Sequence, residues 1–473
     1  MQVAGVRMSG RGCPYFDPDY DTLISRLNAP SVVIDNSSCD DATLVKVDSA
    51  NKHGILLEVV QVLTDLDLTI SKAYISSDGG WFMDVFHVTD KLGHKLRDQG
   101  IIDYIQQSLG DAQATTSQVK TSLAPTVGTQ SSGGHTAIEL SGRDRPGLLS
   151  EISGVLTGMT CNVVAAEVWT HNKRVACVVY VTDEATGCPI KDPEKLARMK
   201  ERLSQVLRGD DENRLATTDF SSGLTHTERR LHQMMLADRD YDVPSSTSSI
   251  NAVLDARIRP VISLRNCLEK GYSVVSVQCK DRPKLLFDTV CTLTDMEYVV
   301  FHASARADGP YAYQEYYIRH MDGCTLDLDA EQERVVKCLE AAIERRVSEG
   351  LRLELCTRDR VGLLSDVTRV FREKGLSVTR ADVSTRGDRA VNVFYVTDTS
   401  GKAVSMKVVE ALRLEIGQAI LEVKEEVKEG RGEGAAEVAA EVAAAGGMSR
   451  SRFSFGNLSE RFFHGLGLVK SYS

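Results

Sequence analysis

Short apolar runs with the period of a strand alternate along this chain with longer amphipathic stretches, and the succession recurs four times. The runs Thr43–Val47, Thr136–Leu140, Ser273–Cys279 and Leu351–Cys356 each read as a strand. A polar turn follows. Beyond it the apolar residues fall at helical spacing: Ile55, Leu56, Val59, Val60, Leu63 and Leu66 in the first copy, Leu363, Leu364, Val367, Val370 and Phe371 in the last. Two more strands come next, Thr69–Ile75 and Trp81–Val88 in the first copy, joined across Ser77-Asp78-Gly79-Gly80. Trp81 reads as core of that second strand. A more polar helix, such as Asp192–Leu207 or Leu328–Val347, closes the pattern.

The turn repeats residue by residue. Arg143-Asp144-Arg145-Pro146-Gly147-Leu148-Leu149 returns as Lys280-Asp281-Arg282-Pro283-Lys284-Leu285-Leu286 and as Arg358-Asp359-Arg360-Val361-Gly362-Leu363-Leu364. Ala50-Asn51-Lys52-His53-Gly54-Ile55-Leu56 is a more diverged fourth copy. The tripeptides Val88-Thr89-Asp90, Val181-Thr182-Asp183, Ile318-Arg319-His320 and Val396-Thr397-Asp398 all end 36 residues after the Gly or Lys284 position. Four ungapped copies define a repeat protein. Strand, helix, two strands, helix opens a βαββαβ unit. The expected class is therefore α+β: four tandem ferredoxin-like units with antiparallel sheets and helices on one face. Units this small bury a modest fraction of their surface, so they are expected in pairs.

The duplication has a second layer. Val32–Asn36 ahead of unit one and Ile262–Asn266 ahead of unit three lie 230 residues apart, the offset from Gly54 to Lys284. Unit three runs from its second helix directly into Leu351, which leaves no room for a closing strand of its own. The odd units are thus expected to borrow the upstream strand, and the even ones to close with Arg214–Phe220 and Ile420–Lys424. The resulting organisation is a leader over 1–30, units over 31–120, 135–220, 260–348 and 350–429, a helical linker over 221–259 and a tail over 430–473. In the linker, Thr225-His226-Thr227-Glu228 has the pattern of a capping box opening a helix to about Asp238. The tail joins an Ala/Gly-rich stretch to a basic, Phe-containing end, which reads as disordered or as a docking peptide.

An Asp-Arg-Pro-Gly-Leu-Leu turn between first strand and first helix resembles the ACT domain, a small-molecule-binding regulatory module. With Tyr15-Phe16-Asp17-Pro18, Ser77-Asp78-Gly79-Gly80-Trp81 and the terminal Lys470-Ser471-Tyr472-Ser473, the whole chain outside the Ala-rich stretch is similar to plant ACT-domain-repeat (ACR) proteins. It is also similar to the ACT repeats of bacterial uridylyltransferases. The resemblance implies a ligand in the turn, at the interface with a neighbouring domain, and an amino-acid sensor connected with nitrogen metabolism. An ACT scaffold that makes protein contacts alone is the alternative.

The turn has chemistry suited to that ligand. A helix N-terminus offers free N–H groups and a positive dipole end to a carboxylate. Gly54, Gly147 and Gly362 leave the backbone approachable, and Asn51, Asp144 or Asp359 could accept from an ammonium. The candidate site residues are Asn51, His53, Gly54, Ile55 and Leu56; Asp144, Pro146, Gly147, Leu148 and Leu149; Asp359, Val361, Gly362, Leu363 and Leu364. Two plainer readings stand beside this one. Asn51, Asp144, Asp281 and Asp359 would cap the helix, and Pro146 and Pro283 would occupy its first turn; His53, at the Pro position, would be loop structure. In unit three Lys284 stands where a ligand would approach, so that turn is expected to be structural.

Composition narrows the function further. A net charge of −10 argues against nucleic acid as partner. No apolar run of membrane-spanning length occurs, and Met1 to Asp21 lack the apolar core of a signal peptide. The 11 cysteines show no metal-site spacing, and Cys177, Cys279 and Cys356 read as buried thiols of a reduced, cytoplasmic or nuclear protein. The 10 histidines form no metal motif, and Gly-x-Ser-x-Gly and Walker loops are absent. No cofactor, metal or catalysis is expected. Partners would be an amino acid and either a second copy of the chain or another protein.

Overall fold

A computed structural model describes residues 31–50, 53–78, 81–110, 134–209, 216–221, 226–242, 259–347, 350–417 and 421–424. The leader, the Ala/Gly-rich stretch and the basic, Phe-containing end lie outside these residues. The chain divides into two compact halves, Met1–Gly128 with Ser245–Ile343 and Thr129–Pro244 with Glu344–Ser473. The first holds units one and three, the second units two and four.

In the odd half, unit one supplies strands β1 (Ser31–Asp35), β2 (Thr43–Ala50), β3 (Thr69–Asp78) and β4 (Trp81–Thr89), with helices α1 (Ile55–Asp65) and α2 (Gln99–Gly110). Unit three supplies β9 (Val261–Cys267), β10 (Tyr272–Lys280), β11 (Tyr298–Asp308) and β12 (Tyr311–His320), with α6 (Leu285–Asp295) and α7 (Asp329–Glu344). The eight strands form one antiparallel sheet in the order β1-β2-β4-β3-β11-β12-β10-β9. Units one and three join edge to edge where β3 meets β11, with Ser304 opposite Tyr74. The upstream strands stand where the missing closing strands would: β1 against β2 (Val33 opposite Lys46) and β9 against β10 (Leu264 opposite Val275). Matching asparagines tie down their ends. Asn36 Nδ2 donates to the Leu96 carbonyl at 2.9 Å, and Asn266 Nδ2 to that of Leu326 at 2.7 Å.

The even half repeats the plan with its own closing strands. Unit two contributes β5 (Thr136–Arg143), α3 (Leu148–Gly158), β6 (Cys161–His171), β7 (Arg174–Asp183), α4 (Pro193–Arg208) and β8 (Thr217–Ser221). Unit four contributes β13 (Leu351–Arg358), α8 (Leu363–Glu373), β14 (Leu376–Arg386), β15 (Arg389–Asp398), α9 (Met406–Ile416) and β16 (Leu421–Lys424). The order β16-β13-β15-β14-β6-β7-β5-β8 places β8 beside β5 and β16 beside β13. Each sheet packs one face against its helices, as the two-residue alternation requires: along β4, Phe82, Phe86 and Val88 enter the core while Met83 faces out. The fold is thus four ferredoxin-like units paired one with three and two with four.

Three expectations fail here. Trp81 is 36% exposed, because it opens β4 on the outward side of the alternation. Cys356 is exposed for the same reason, whereas Cys177 and Cys279 are buried. The linker helix α5 (Thr227–Ala237) has His226 rather than Thr225 as its N-cap, with the imidazole Nδ1 accepting from the Arg229 N–H at 3.1 Å. Helix α5 covers part of the outer face of the even sheet, packing Leu231, Met234 and Met235 on Trp169, Ala176 and Val178.

Candidate functional site

The four motif turns share one backbone geometry. Helix α3 begins after Gly147, whose φ of 82° and ψ of −2° are left-handed; Gly54, Gly362 and Lys284 do the same for α1, α8 and α6 at φ of 84°, 80° and 66°. The Leu148 N–H donates to the Arg145 carbonyl at 3.2 Å, so Arg145-Pro146-Gly147-Leu148 is a type II turn. Such a turn wants proline second and glycine third. Pro146 and Pro283 therefore precede the helix instead of occupying its first turn.

The acidic residues are not caps. None of the four N-caps of these helices carries a side-chain hydrogen bond to the helix. The intervening turn holds the aspartate at the strand end, where the N–H groups of Asp144, Asp281 and Asp359 donate to the carbonyls of Lys173, Pro310 and Asp388, each at 2.8 Å. Burial pushes the Asp144 carboxyl up to about 6, against the lowering pull of the Arg145 N–H and guanidinium. Asp281 is raised as well, burial again being the main cause. Asp359 Oδ2 accepts from Thr385 Oγ1 at 3.2 Å. Asn51 lies outside the described residues.

The second motif arginine has a role that the sequence reading missed. Arg145 makes a two-pronged pair with Glu151, at 2.7 and 2.5 Å, and also donates to the Val206 carbonyl at the end of α4 at 2.9 Å. Arg282 pairs with the buried Asp288 at 2.7 Å and donates to the Ile343 carbonyl at 2.8 Å. Arg360 pairs with Asp366 at 2.5 Å. Arg145 and Arg282 brace the turn against both helices of their own unit, and Arg360 ties it to the first. The signal was present as Arg followed six residues later by an acid, a spacing that Lys52 and Glu58 share.

Each of the three turns with a described cleft faces the paired unit. The cleft at turn two is shared with Phe371, Arg372 and Leu376 of unit four, and that at turn four with Thr157, Asn162 and Val163 of unit two. Turn three shares its cleft with Thr64, Leu68 and Ser71 of unit one. Their sizes differ. The cavity is about 20 Å³ at turn two, about 10 Å³ at turn four and about 210 Å³ at turn three. At Gly147 the free approach expected from the missing Cβ is already taken, since Arg372 Cδ and Cγ lie 2.8 and 3.1 Å from where that Cβ would stand. At Gly362 the nearest atom is Thr157 Cγ2 at 3.3 Å, and at Gly54 nothing lies within 4 Å. Asp144, Gly147, Leu148 and Leu149 come together around one cleft, and Asp359, Gly362, Leu363 and Leu364 around another. Pro146 and Val361 stand outside those linings. His53 is exposed, and Ile55 and Leu56 are core.

Among the described residues no group of His, Cys, Asp and Glu is arranged to hold a metal ion, and no helix is long and apolar enough to cross a membrane.

Known proteins match the chain closely. A model of the ACR family N-terminal ACT domain matches residues 38–116, and the ACT domain model matches 136–208 and 351–413. The ACT domain-containing protein ACR3 of Arabidopsis thaliana is 57% identical over 450 residues, covering 95% of this chain and 98% of the relative. ACR4 of the same plant is 55% identical over 97% of this chain and 98% of its own length. The bifunctional uridylyltransferase/uridylyl-removing enzyme of Rhodospirillum rubrum is 24% identical across 44% of this chain and 20% of that enzyme.

Proposed function

From the premise that the chain belongs to the ACR family of ACT domain-containing proteins, we propose that it is a non-catalytic amino-acid sensor. In this reading a free amino acid binds at the motif clefts. The helix N-terminus meets its carboxylate, and the acid of the turn (Asp144, Asp359 or, in unit one, Asn51) receives its ammonium. One observation carries the proposal: three clefts are each built from the turn of one unit and the helix end of its partner. A ligand there touches both units at once, so binding is linked to their pairing. A link to nitrogen metabolism belongs to the same proposal.

The second reading, a scaffold that makes only protein contacts, is favoured for the even half by one fact. The two clefts that its units share, about 20 and 10 Å³, hold little more than a water each. A thermal-shift screen of the full chain against the twenty amino acids separates the two, because a ligand that binds only the native state raises its melting temperature. A rise for one class of amino acid, lost in Asp144→Asn or Asp359→Asn with the fold intact, supports binding at turns two and four. Flat melting curves for all twenty support the scaffold. Nucleotide transfer or hydrolysis that tracks the purified chain and dies with one point substitution would overturn the non-catalytic assignment.

A further inference from the structure

One strand position carries a different polar or thiol side chain in each unit, and in three units it lines the cleft. It lies 30 residues after the N-cap of the motif helix: Asp84, Cys177, Gln314 and Asn392. Each stands on the middle strand of its unit, paired on both sides, as Gln314 is with Val277 and Ala305. All four side chains are buried on the helix-covered face, where apolar residues are the rule. Asp84 Oδ2 and Asn392 Oδ1 have no hydrogen-bond partner among the described residues.

Gln314, 5% exposed, is held by one end only. Its Oε1 accepts from the Tyr316 hydroxyl at 2.8 Å and lies 3.0 Å from Thr289 Oγ1. The Nε2, with two protons to donate, makes no hydrogen bond to the described residues, and Gln314 lines the third cleft. That cleft is also the roomy one, at about 210 Å³; a cavity of about 150 Å³ suffices for benzene. Lys284 and Arg306 bring positive charge to it, and Asp281 brings one carboxyl. Lys284 holds a left-handed φ of 66° where the other three turns have glycine. A strained side chain kept beside a cavity is the kind of outlier from which function is sought.

We infer that turn three is a ligand site of the odd half, and that it takes a free amino acid whose side chain ends in an oxygen acceptor received by Gln314 Nε2. The inference rests on the amino-acid-sensor reading and names its ligand class. It reverses the expectation that Lys284 keeps a ligand out. The ammonium of Lys284 suits the ligand's α-carboxylate, Asp281 suits its ammonium, and Gln314 reads the side chain from the floor. Glutamate, aspartate, glutamine and asparagine fit; leucine and lysine offer the floor no acceptor.

Calorimetry on the full chain with those six free amino acids tests this. The four oxygen-bearing ones are expected to bind at least tenfold more tightly than leucine. Gln314→Met keeps the length of the side chain and removes the donor, and should erase that preference. Lys284→Gly relieves the left-handed backbone, and with its fold checked by thermal melting its affinity for the same amino acids should fall at least fivefold. The preference for an oxygen-bearing side chain should persist in Asp144→Asn and Asp359→Asn, whatever those variants do to binding at turns two and four. Leucine binding as well as glutamine, or full affinity retained in Lys284→Gly, overturns the inference even where Gln314→Met fails to fold. Binding that disappears in Asp144→Asn or Asp359→Asn moves the ligand to the even half, sinking this inference while the sensor reading stands. Absence of binding by all six sinks this inference, and flat melting curves for all twenty amino acids sink the sensor reading as well.

Discussion

The odd and even halves carry the same eight-stranded plan, yet they close it and cover it differently. The odd sheet takes its last strands, β1 and β9, from upstream; the even sheet takes β8 and β16 from downstream. Both solutions pair an antiparallel strand with the first strand of the unit, so the sheet edge requires a strand and is indifferent to which end of the chain supplies it. The outer faces differ more. On the even sheet α5 seats three apolar side chains over Trp169, Ala176 and Val178, and ionic contacts reinforce the cover. Asp240, wholly buried, accepts two bonds from Arg345 at 2.7 and 2.6 Å and pairs with His171 at 2.9 Å. Arg346 lies 4.7 Å from the Trp169 ring centroid and pairs with Glu228 at 2.5 Å. On the odd sheet the corresponding face shows Tyr74, Met83 and Tyr311 at 53%, 62% and 45% exposure. Among the described residues, apolar cover on one sheet and exposed Tyr74, Met83 and Tyr311 on the other show how little the repeated core constrains what is built outside it.

The largest effect should come from breaking the even-half cover. Asp240→Ala leaves Arg345, 1% exposed, as an uncompensated buried charge, which costs about 3–5 kcal/mol. The two tryptophans make the comparison readable: Trp169 reports on the even half and Trp81 on the odd. In a Trp81→Phe background, the Trp169 emission transition of Asp240→Ala should move to lower denaturant. An unmoved transition would mean that the ionic cover adds nothing to the packing.

The odd half should instead respond to pH through Asp84. Burial pushes this carboxyl up to about 9, opposed only by the Ser76 N–H. Its folded-state pKa lies above its unfolded value of about 3.9, so its contribution is full below that pH and is lost as pH rises toward 9. Asp84→Asn removes the ionisable group, and at pH 8 it should stabilise the odd half by about 1–3 kcal/mol. Trp81 emission in a Trp169→Phe background, followed from pH 5 to 9, checks this; equal gains at both ends of the range would remove the ionisation argument. The even half has the same sign at a different group. Burial would lower the His171 pKa, but Asp240 and Glu344 outweigh it and raise it. That support fades as pH rises above the ordinary histidine range.

Turn glycines provide a finer contrast. Gly54→Ala meets open space and carries only left-handed strain, about 1–2 kcal/mol. Gly147→Ala adds the crowding of Arg372, for roughly 1 kcal/mol more. Equal losses in chemical denaturation would mean that Arg372 swings aside freely. Smallest of all is the other end of the same helices. Asp67, Thr160 and Glu297 hold left-handed φ of 57°, 54° and 66° where unit four has Gly375 at 68°. Thr160→Gly should gain about 1 kcal/mol, since a β-branched residue suits that conformation worst. A loss on substitution would show that the Thr160 hydroxyl contact with Lys195 at 3.3 Å matters more.

The sequence by itself determined the repeat, the order of elements in each unit and the borrowed strands. It could do so because period and motif spacing are local, and the missing room before Leu351 is a matter of counting residues. It also marked the turn as the place of interest. What the turn does there was decided by the tertiary structure. Arg372 over Gly147 and the brace from Arg145 to the end of α4 depend on chain segments far apart in sequence. The same holds for the room in each cleft, which is why Lys284, an obstacle on paper, borders the widest of the three that paired units share. The floor position escaped notice because Asp84, Cys177, Gln314 and Asn392 share no chemistry. Only the register of the middle strand, which sends every second side chain toward the helices, makes them one site.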